Sequence, residues 1–283
     1  MHGNRPLPML IDAHTHLDLV AERGIPVPDA LRHAREGGVT HIITASNNPA
    51  DAAWAVEAAG KWRGVSATVG WHPMEDHVPD SEELEALRKL AAQEHAVAIG
   101  EVGLDYYFRP GYHETPKDVQ QASLEIMLAL AHELDLPVVI HARDAQQDIL
   151  AMLRNSGTKR VLFHCFQGDV AHARACLEEG YLISFSGIVT FRTAAELQEV
   201  AKFVPDGTFT IETDAPFLTP VPYRGSTNEP VHVRETAAFL AACRNTTPEA
   251  IALDATATAA QFFQLPPSDA IGEDGHLERS HHD

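Results

Sequence analysis

The sequence is short of several things, and each shortage excludes a class of protein. Cysteine is scarce: Cys165, Cys176 and Cys243 are the only 3 in 283 residues, widely spaced and without a CxxC pair. An odd, scattered set of this kind excludes a disulfide scaffold and suits free thiols in a reducing compartment. Glycine and proline, 18 of each against 45% hydrophobic residues, are too sparse for a collagenous or disordered chain. No apolar run reaches the roughly 18 residues of a membrane-spanning helix. The N-terminal stretch MHGNRPLPMLIDAHTHLD also lacks the apolar core of a secretory signal. Cytoplasmic residence, with no membrane contact, is the resulting expectation. Positive charge is lacking too: 21 Lys plus Arg face 40 Asp plus Glu, a net charge of -19. That is the wrong sign for a protein that coats DNA with a broad basic face. A polyanionic substrate would have to be drawn in locally, by bound divalent cations and a few arginines around one cleft.

What is present is a regular alternation. Short β-rich runs occur at 9–13, 40–44, 65–70, 96–101, 137–141, 161–164, 181–184 and 208–212. Helical spacing follows them, as in Leu84, Leu87, Leu90 and Ala91 after a cap at Asp80 or Ser81, and in Leu124, Met127, Leu128 and Ala131. Apolar strands alternating with helices predict a parallel sheet buried on both sides. Eight such units in roughly 250 residues predict an α/β protein built as one (β/α)8 TIM barrel. An open doubly wound sheet would want a Gly-rich turn after its first strand, and GxGxxG is absent there. The barrel domain is expected over residues 1–265, followed by a polar, loose extension over 266–283 in which His281 and His282 are too isolated for a metal site.

In such a barrel the active site lies at the C-terminal ends of the strands. The polar residues expected there are Asp12-Ala13-His14-Thr15-His16, then Glu101, His141, His164, and Glu212-Thr213-Asp214. Side chains at i and i+2 share a strand face, so His14 and His16 both point into the mouth while Thr15 points away. Four imidazoles converging on one rim repel one another if protonated and call for a cation. With two carboxylates they suffice for two divalent ions bridged by Glu101, with Asp214 as a terminal ligand that also receives the proton of the attacking water. An imidazole-rich shell favours Zn, Mn, Co or Ni over Mg, and the choice among them stays open.

The segments LIDAHTHLD, VGWHP, IGEVGLDYY, LPVVIHARDA, HCFQG and IETDAPFLTP, in this order, resemble the TatD family of metal-dependent hydrolases, within the amidohydrolase-like barrels. The resemblance runs from about residue 9 to residue 265. It implies a (β/α)8 fold and a divalent-metal-dependent deoxyribonuclease, in several members a 3′ to 5′ exonuclease on single-stranded DNA. The family's metal ligands fall on His14, His16, Glu101, His141, His164 and Asp214. By the same resemblance His72 is near the metals and touches substrate, and Glu212 orients water or a ligand. Arg109, Arg143 and Arg224 are the cations nearest the expected mouth, where a planar guanidinium suits phosphate. The chain departs from the family by Ser226, where a basic residue is usual, and by Thr258 in place of Asn. Glu101 in place of a strand-4 lysine argues against the carbamylated-lysine barrels. Single-stranded DNA or another phosphodiester is thus the expected partner, and no protein partner is called for. Two rivals stand beside this reading: an ester or amide hydrolase, such as an aminoacyl-tRNA deacylase, and a non-catalytic barrel that binds metal or nucleic acid.

Overall fold

The computed structural model describes residues 9–109, 111–266 and 278–279. Its strands are β1 (Leu10–Thr15), β2 (Val39–Thr44), β3 (Val65–Val69), β4 (Ala96–Asp105), β5 (Val138–Arg143), β6 (Val161–Phe163), β7 (Leu182–Phe185) and β8 (Phe209–Ile211). Each pairs in parallel with the next, in the order β1 to β8. Runs such as VTHIIT and VSATV are β-branched and almost wholly buried, as strands covered on both sides must be. The helices are α1 (Leu17–Glu22) and α2 (Val27–Glu36) after β1, α3 (Pro49–Lys61) after β2, and α4 (Ser81–Ala91) after β3. They continue with α5 (Lys117–Leu134), α6 (Gln146–Ser156), α7 (Val170–Glu178) and α8 (Ala195–Phe203), one after each of β4 to β7, then α9 (Val233–Arg244) and α10 (Pro248–Phe263). This is the expected (β/α)8 barrel.

Local chemistry explains where the elements begin. The carboxylate of Asp80, not Ser81, caps α4, accepting the N–H groups of Glu82 at 2.8 Å and Glu83 at 2.9 Å. Glu83 returns a bond to the Asp80 N–H, a reciprocal box whose cap is worth about 1 kcal/mol. The ring closes just beyond β8, where the Asp214 N–H donates to the His14 carbonyl at 2.9 Å and the His16 N–H to the Ala215 carbonyl at 2.7 Å. A buried cluster joins Ile11, Ala13, Ile43, Ala98, Val139 and Leu162 of the strands to Phe262 and Phe263 of α10.

Several strand ends differ from the sequence reading: β1 and β5 each end two residues later than expected, and two other differences bear on the site. Instead of stopping at Glu101, β4 runs on to Asp105, because Val102 and Leu104 are buried and pair with Ile140 and Ala142 of β5. β8 is shorter than expected: Thr213 gives its N–H to the Asp12 carboxylate at 2.8 Å, which draws the chain off the sheet after Ile211. Of the extension expected to be loose, Glu278 and Arg279 are docked, with the Arg279 N–H donating to the Lys61 carbonyl at 2.7 Å and Glu278 bridged to Trp62. His281 and His282 lie outside the described residues. Among the described residues no helix is long and apolar enough to cross a membrane.

Candidate metal centre

The end of β1 supplies the first pair of imidazoles. Its register against β2 slips between Asp12 and Thr15, the kind of irregularity that re-aims side chains beside functional sites. His14 and His16 both turn to one oxygen of Glu101, their Nε2 atoms 3.3 and 3.7 Å from its Oε2. Thr15 points elsewhere and donates its hydroxyl to the Ala215 carbonyl. Asp214 Oδ1 completes this side, 3.6 Å from His16 Nε2 and 3.9 Å from His14 Nε2. The other oxygen of Glu101, Oε1, meets His141 Nδ1 at 2.7 Å, His164 Nε2 at 2.8 Å and His72 Nε2 at 3.4 Å. Glu101 therefore divides the site in two, one oxygen to each half. Three sets of donor atoms lie within 4.8 Å of one another: His14, His16 and Asp214; His14, Glu101 and His164; His72, Glu101 and His141.

Close backbone approach makes this possible. A Cβ on Gly70 would lie 2.5 Å from the Gly100 carbonyl carbon and 2.7 Å from the Glu101 nitrogen, so only glycine lets β3 pass beside Glu101. Gly103, at φ 150°, leaves room for the His141 carbonyl in the same way. Cys165 at φ 42° and Asp214 at φ 55° are among the non-glycine residues that take left-handed backbone. Such a conformation costs about 1–3 kcal/mol, and here hydrogen bonds hold both residues in place. The Cys165 N–H donates to Glu212 Oε1 at 2.7 Å, and the Asp214 N–H to His14.

The electrostatics are those of a cation site. Burial pushes the imidazoles of His14, His16 and His72 down, His16 to about 3, so they are neutral with lone pairs available. Burial also works against charge on His141 and His164, but Asp105 and Glu101 raise the first and Glu101 and Glu212 raise the second. Glu101, despite its burial, is held well below the usual range by His164, His72, His14 and His141. Glu212 is likewise held down against burial, chiefly by His164. Asp214 is pushed up to about 8, first by burial and then by Glu101 and Glu212, with His164 opposing. Both ring nitrogens of His14 and Glu212 Oε2 are buried without a hydrogen-bond partner. Each such group costs about 1–3 kcal/mol, and a cation beside His14 would supply a partner. Neutral imidazoles, unmet donors and clustered carboxylates fit divalent ions of the Zn, Mn, Co or Ni type.

This cluster floors a cavity of about 530 Å³. Leu19, Met74, Ile188, Phe217 and Leu218 form an apolar wall, and Tyr112, Arg143 and Gln167 line it as well.

Comparison with known proteins agrees with this geometry. Residues 11–264 match the family described as TatD related DNase. The chain belongs to the TatD family. A Bacillus subtilis protein described as an uncharacterized metal-dependent hydrolase, YabD, is 36% identical over 91% of this chain and 100% of its own length. A Citrobacter koseri relative described as the 3′-5′ ssDNA/RNA exonuclease TatD is 32% identical over 84% of this chain and 92% of its own. Among solved structures, the Escherichia coli K12 TatD homologue YjjV superposes with a TM-score of 0.82 at 26% identity, covering 91% of this chain and 98% of that one.

Among the positions suggested by the TatD resemblance, the six expected ligand residues are brought together with His72 and Glu212. His72 serves its turn as well, its Nδ1 accepting the Met74 N–H at 3.2 Å. Arg143 lines the cavity, stacked 3.7 Å over the Tyr107 ring. Arg109 and Arg224 are not among the lining residues: Arg109 sits over Tyr107 at 4.2 Å, and Arg224 packs over Phe191 and donates to the Thr219 carbonyl. Ser226 donates to the Tyr223 carbonyl within a turn, and Thr258 to the Asp254 carbonyl within α10. Sequence reasoning missed Asp105, which accepts from His141 Nε2 at 3.0 Å, and Tyr112, whose hydroxyl donates to Asp105 at 3.0 Å. The i, i+2, i+4 spacing of Glu101, Gly103 and Asp105 was the signal for the first, had the strand been carried to its end. Cys165, in the cavity wall, carried no signal.

Proposed function

We propose that the protein is a divalent-cation-dependent phosphodiesterase that shortens single-stranded DNA from its 3′ end. The observation that carries this is the division of Glu101, with Oε2 turned to His14, His16 and the Asp214 side and Oε1 turned to His141, His164 and His72. One carboxylate shared by two sets of imidazoles is the arrangement of a two-cation hydrolase. His14, His16 and Asp214 would hold one ion and His141 and His164 another, with Glu101 offering an oxygen to each set and His72 at the edge. When bound, such ions acidify water and draw charge from a phosphoryl oxygen. Asp214 lines the cavity and accepts the proton of the attacking water. Glu212 keeps His164 in place through Nδ1, 3.2 Å away. Arg143 presents a guanidinium to a phosphate from the rim, and the wall around Phe217 takes the base of a terminal nucleotide. The name of the Citrobacter koseri relative supports the same substrate class and polarity. With a net charge of -19, phosphate binding is confined to this spot and is weak and salt-sensitive.

The test follows 5′-labelled and 3′-labelled single-stranded oligonucleotides digested by protein loaded with Mn, Mg or Zn, with Asp214→Asn as control. The expected result is a stepwise ladder from the 5′ label and immediate mononucleotide release from the 3′ label, both lost in the variant. An intact oligonucleotide with cation-loaded protein overturns the reading. One observation favours a second reading in that event: among the described residues Arg143 is the one arginine lining the cavity and its wall is apolar, which suits an ester or amide such as aminoacyl-tRNA.

A further inference from the structure

We propose that Asp105 is a positioning residue that holds the ring proton of His141 on Nε2 and so leaves Nδ1 open to a cation beside Glu101. This rests on the cation-holding role of His141 in the reading above, though not on the identity of the substrate.

The His141 ring lies between two carboxylates. Nδ1 is 2.7 Å from Glu101 Oε1, and Nε2 is 3.0 Å from Asp105 Oδ2. A neutral imidazole carries one N–H, and its place decides which nitrogen can ligate. With the proton on Nδ1, the ring donates to Glu101 and turns an N–H toward the cation site. With the proton on Nε2, the ring donates to Asp105 and turns a lone pair there instead.

The surroundings favour the second state. Asp105 is fully buried and fixed from several directions: Oδ1 accepts the Tyr107 N–H at 2.9 Å, and Oδ2 accepts the Tyr112 hydroxyl at 3.0 Å. That hydroxyl in turn receives Arg143 Nη1 at 3.0 Å, and the guanidinium stacks on the rings of Tyr107 and Tyr112. The carboxylate therefore has a rigid frame that keeps one oxygen aimed at Nε2. Glu101 Oε1, by contrast, is shared among His141, His164 and His72, and its charge is what an arriving ion would take over. Asp105 is absent from every set of converging donors and from the cavity wall, so it reaches the cation site through His141, while its contacts to Tyr112 and to His113, 3.3 Å away, lie outside those sets.

The test uses the full chain, stripped of metal, with Asp105→Asn and Asp105→Ala. Zinc affinity is read by competition with a chromogenic chelator, and the His141 tautomer by ring nitrogen shifts at about pH 9, above the ordinary imidazole range. The unmodified protein is expected to show the proton on Nε2. Asp105→Ala moves it to Nδ1 and weakens one zinc equivalent by about 10–100-fold, the usual cost of losing such a partner, while the equivalent held by His14, His16 and Asp214 is unchanged. Asp105→Asn, whose amide oxygen still accepts an N–H, falls between the two and carries the test if the alanine variant fails to fold. Unchanged zinc affinity in folded Asp105→Ala, or retention of the Nε2 proton, overturns the proposal. Zinc-binding protein that leaves DNA intact overturns the nuclease reading and not this one, so the two failures are distinguishable.

Discussion

His14 and His164, from strands on opposite sides of the barrel, stack with ring centroids 3.9 Å apart and planes 20° from parallel. Two imidazoles at that distance cannot both carry charge, and burial keeps His14 neutral while Glu101 and Glu212 favour a proton on His164. In the metal-free protein, protons stand where cations belong. The energetics of loading follow from exchanging one for the other.

Cation removal should lower thermal stability. At a free ion concentration about 100 times Kd, binding to the folded state alone contributes about 2.7 kcal/mol. For a chain of this size that corresponds to roughly 5 °C in Tm. Calorimetry with and without chelator reads it, and an unchanged Tm would show that these residues hold no ion.

Loading should also release protons at pH 7. The metal-free carboxyl of Asp214, pushed up to about 8, keeps its proton there and must lose it to face a cation. Titrations in buffers of different ionisation enthalpy should give about one more proton released by the unmodified protein than by Asp214→Asn. Equal release from the two proteins excludes the carboxyl as the source.

The metal-free protein should lose stability as pH rises from about 6.5 to beyond 8. Asp214, His141 and His164 all have folded values above their ordinary ones, so each binds its proton more tightly when folded. Their contribution is full below the unfolded values, 3.8 for the carboxyl and 6.5 for the imidazoles, and is lost as pH passes the folded ones. Denaturant midpoints across this window should fall, and fall less in Asp214→Asn. Midpoints that rise with pH would contradict the sign.

Arginine substitutions should separate sharply. Arg143→Ala removes the cavity guanidinium and should raise KM for an oligonucleotide about tenfold or more, the cost of one charge-assisted hydrogen bond. Arg109→Ala and Arg224→Ala, outside the cavity lining, should leave KM nearly unchanged. Equal effects from all three would place the phosphate elsewhere.

Gly103→Ala should cost about 1–3 kcal/mol, the range of a substitution that strains a special backbone position. Its new Cβ would run into the His141 carbonyl. Urea denaturation reads the loss, and zinc stoichiometry should fall with it.

The barrel and its six converging side chains were legible because buried strands and their C-terminal ends are written directly in apolar runs and polar punctuation. What escaped lies where tertiary contacts override that pattern. Asp105 was hidden because the strand was expected to end at Glu101, while in the fold Gly103 lets β4 run on close against His141. The shortness of β8 depends on the bond from Thr213 to Asp12, 201 residues away in sequence, which no local signal announces. Arg109 and Arg224 were candidates as cations near the expected mouth, and only packing against Tyr107 and Phe191 reveals where they go.

Asp12 and Thr213 also tie together the two ends of the ring, and the same junction brings His14 beside Asp214. One half of the centre therefore does not exist in a chain still emerging from the ribosome, since its donors are separated by almost the whole barrel. A fragment ending before β8 carries five of the six converging side chains and lacks the closure that sets His14 against Asp214. On the proposed reading, ion uptake at that half would report that β8 has been added and the circle has closed.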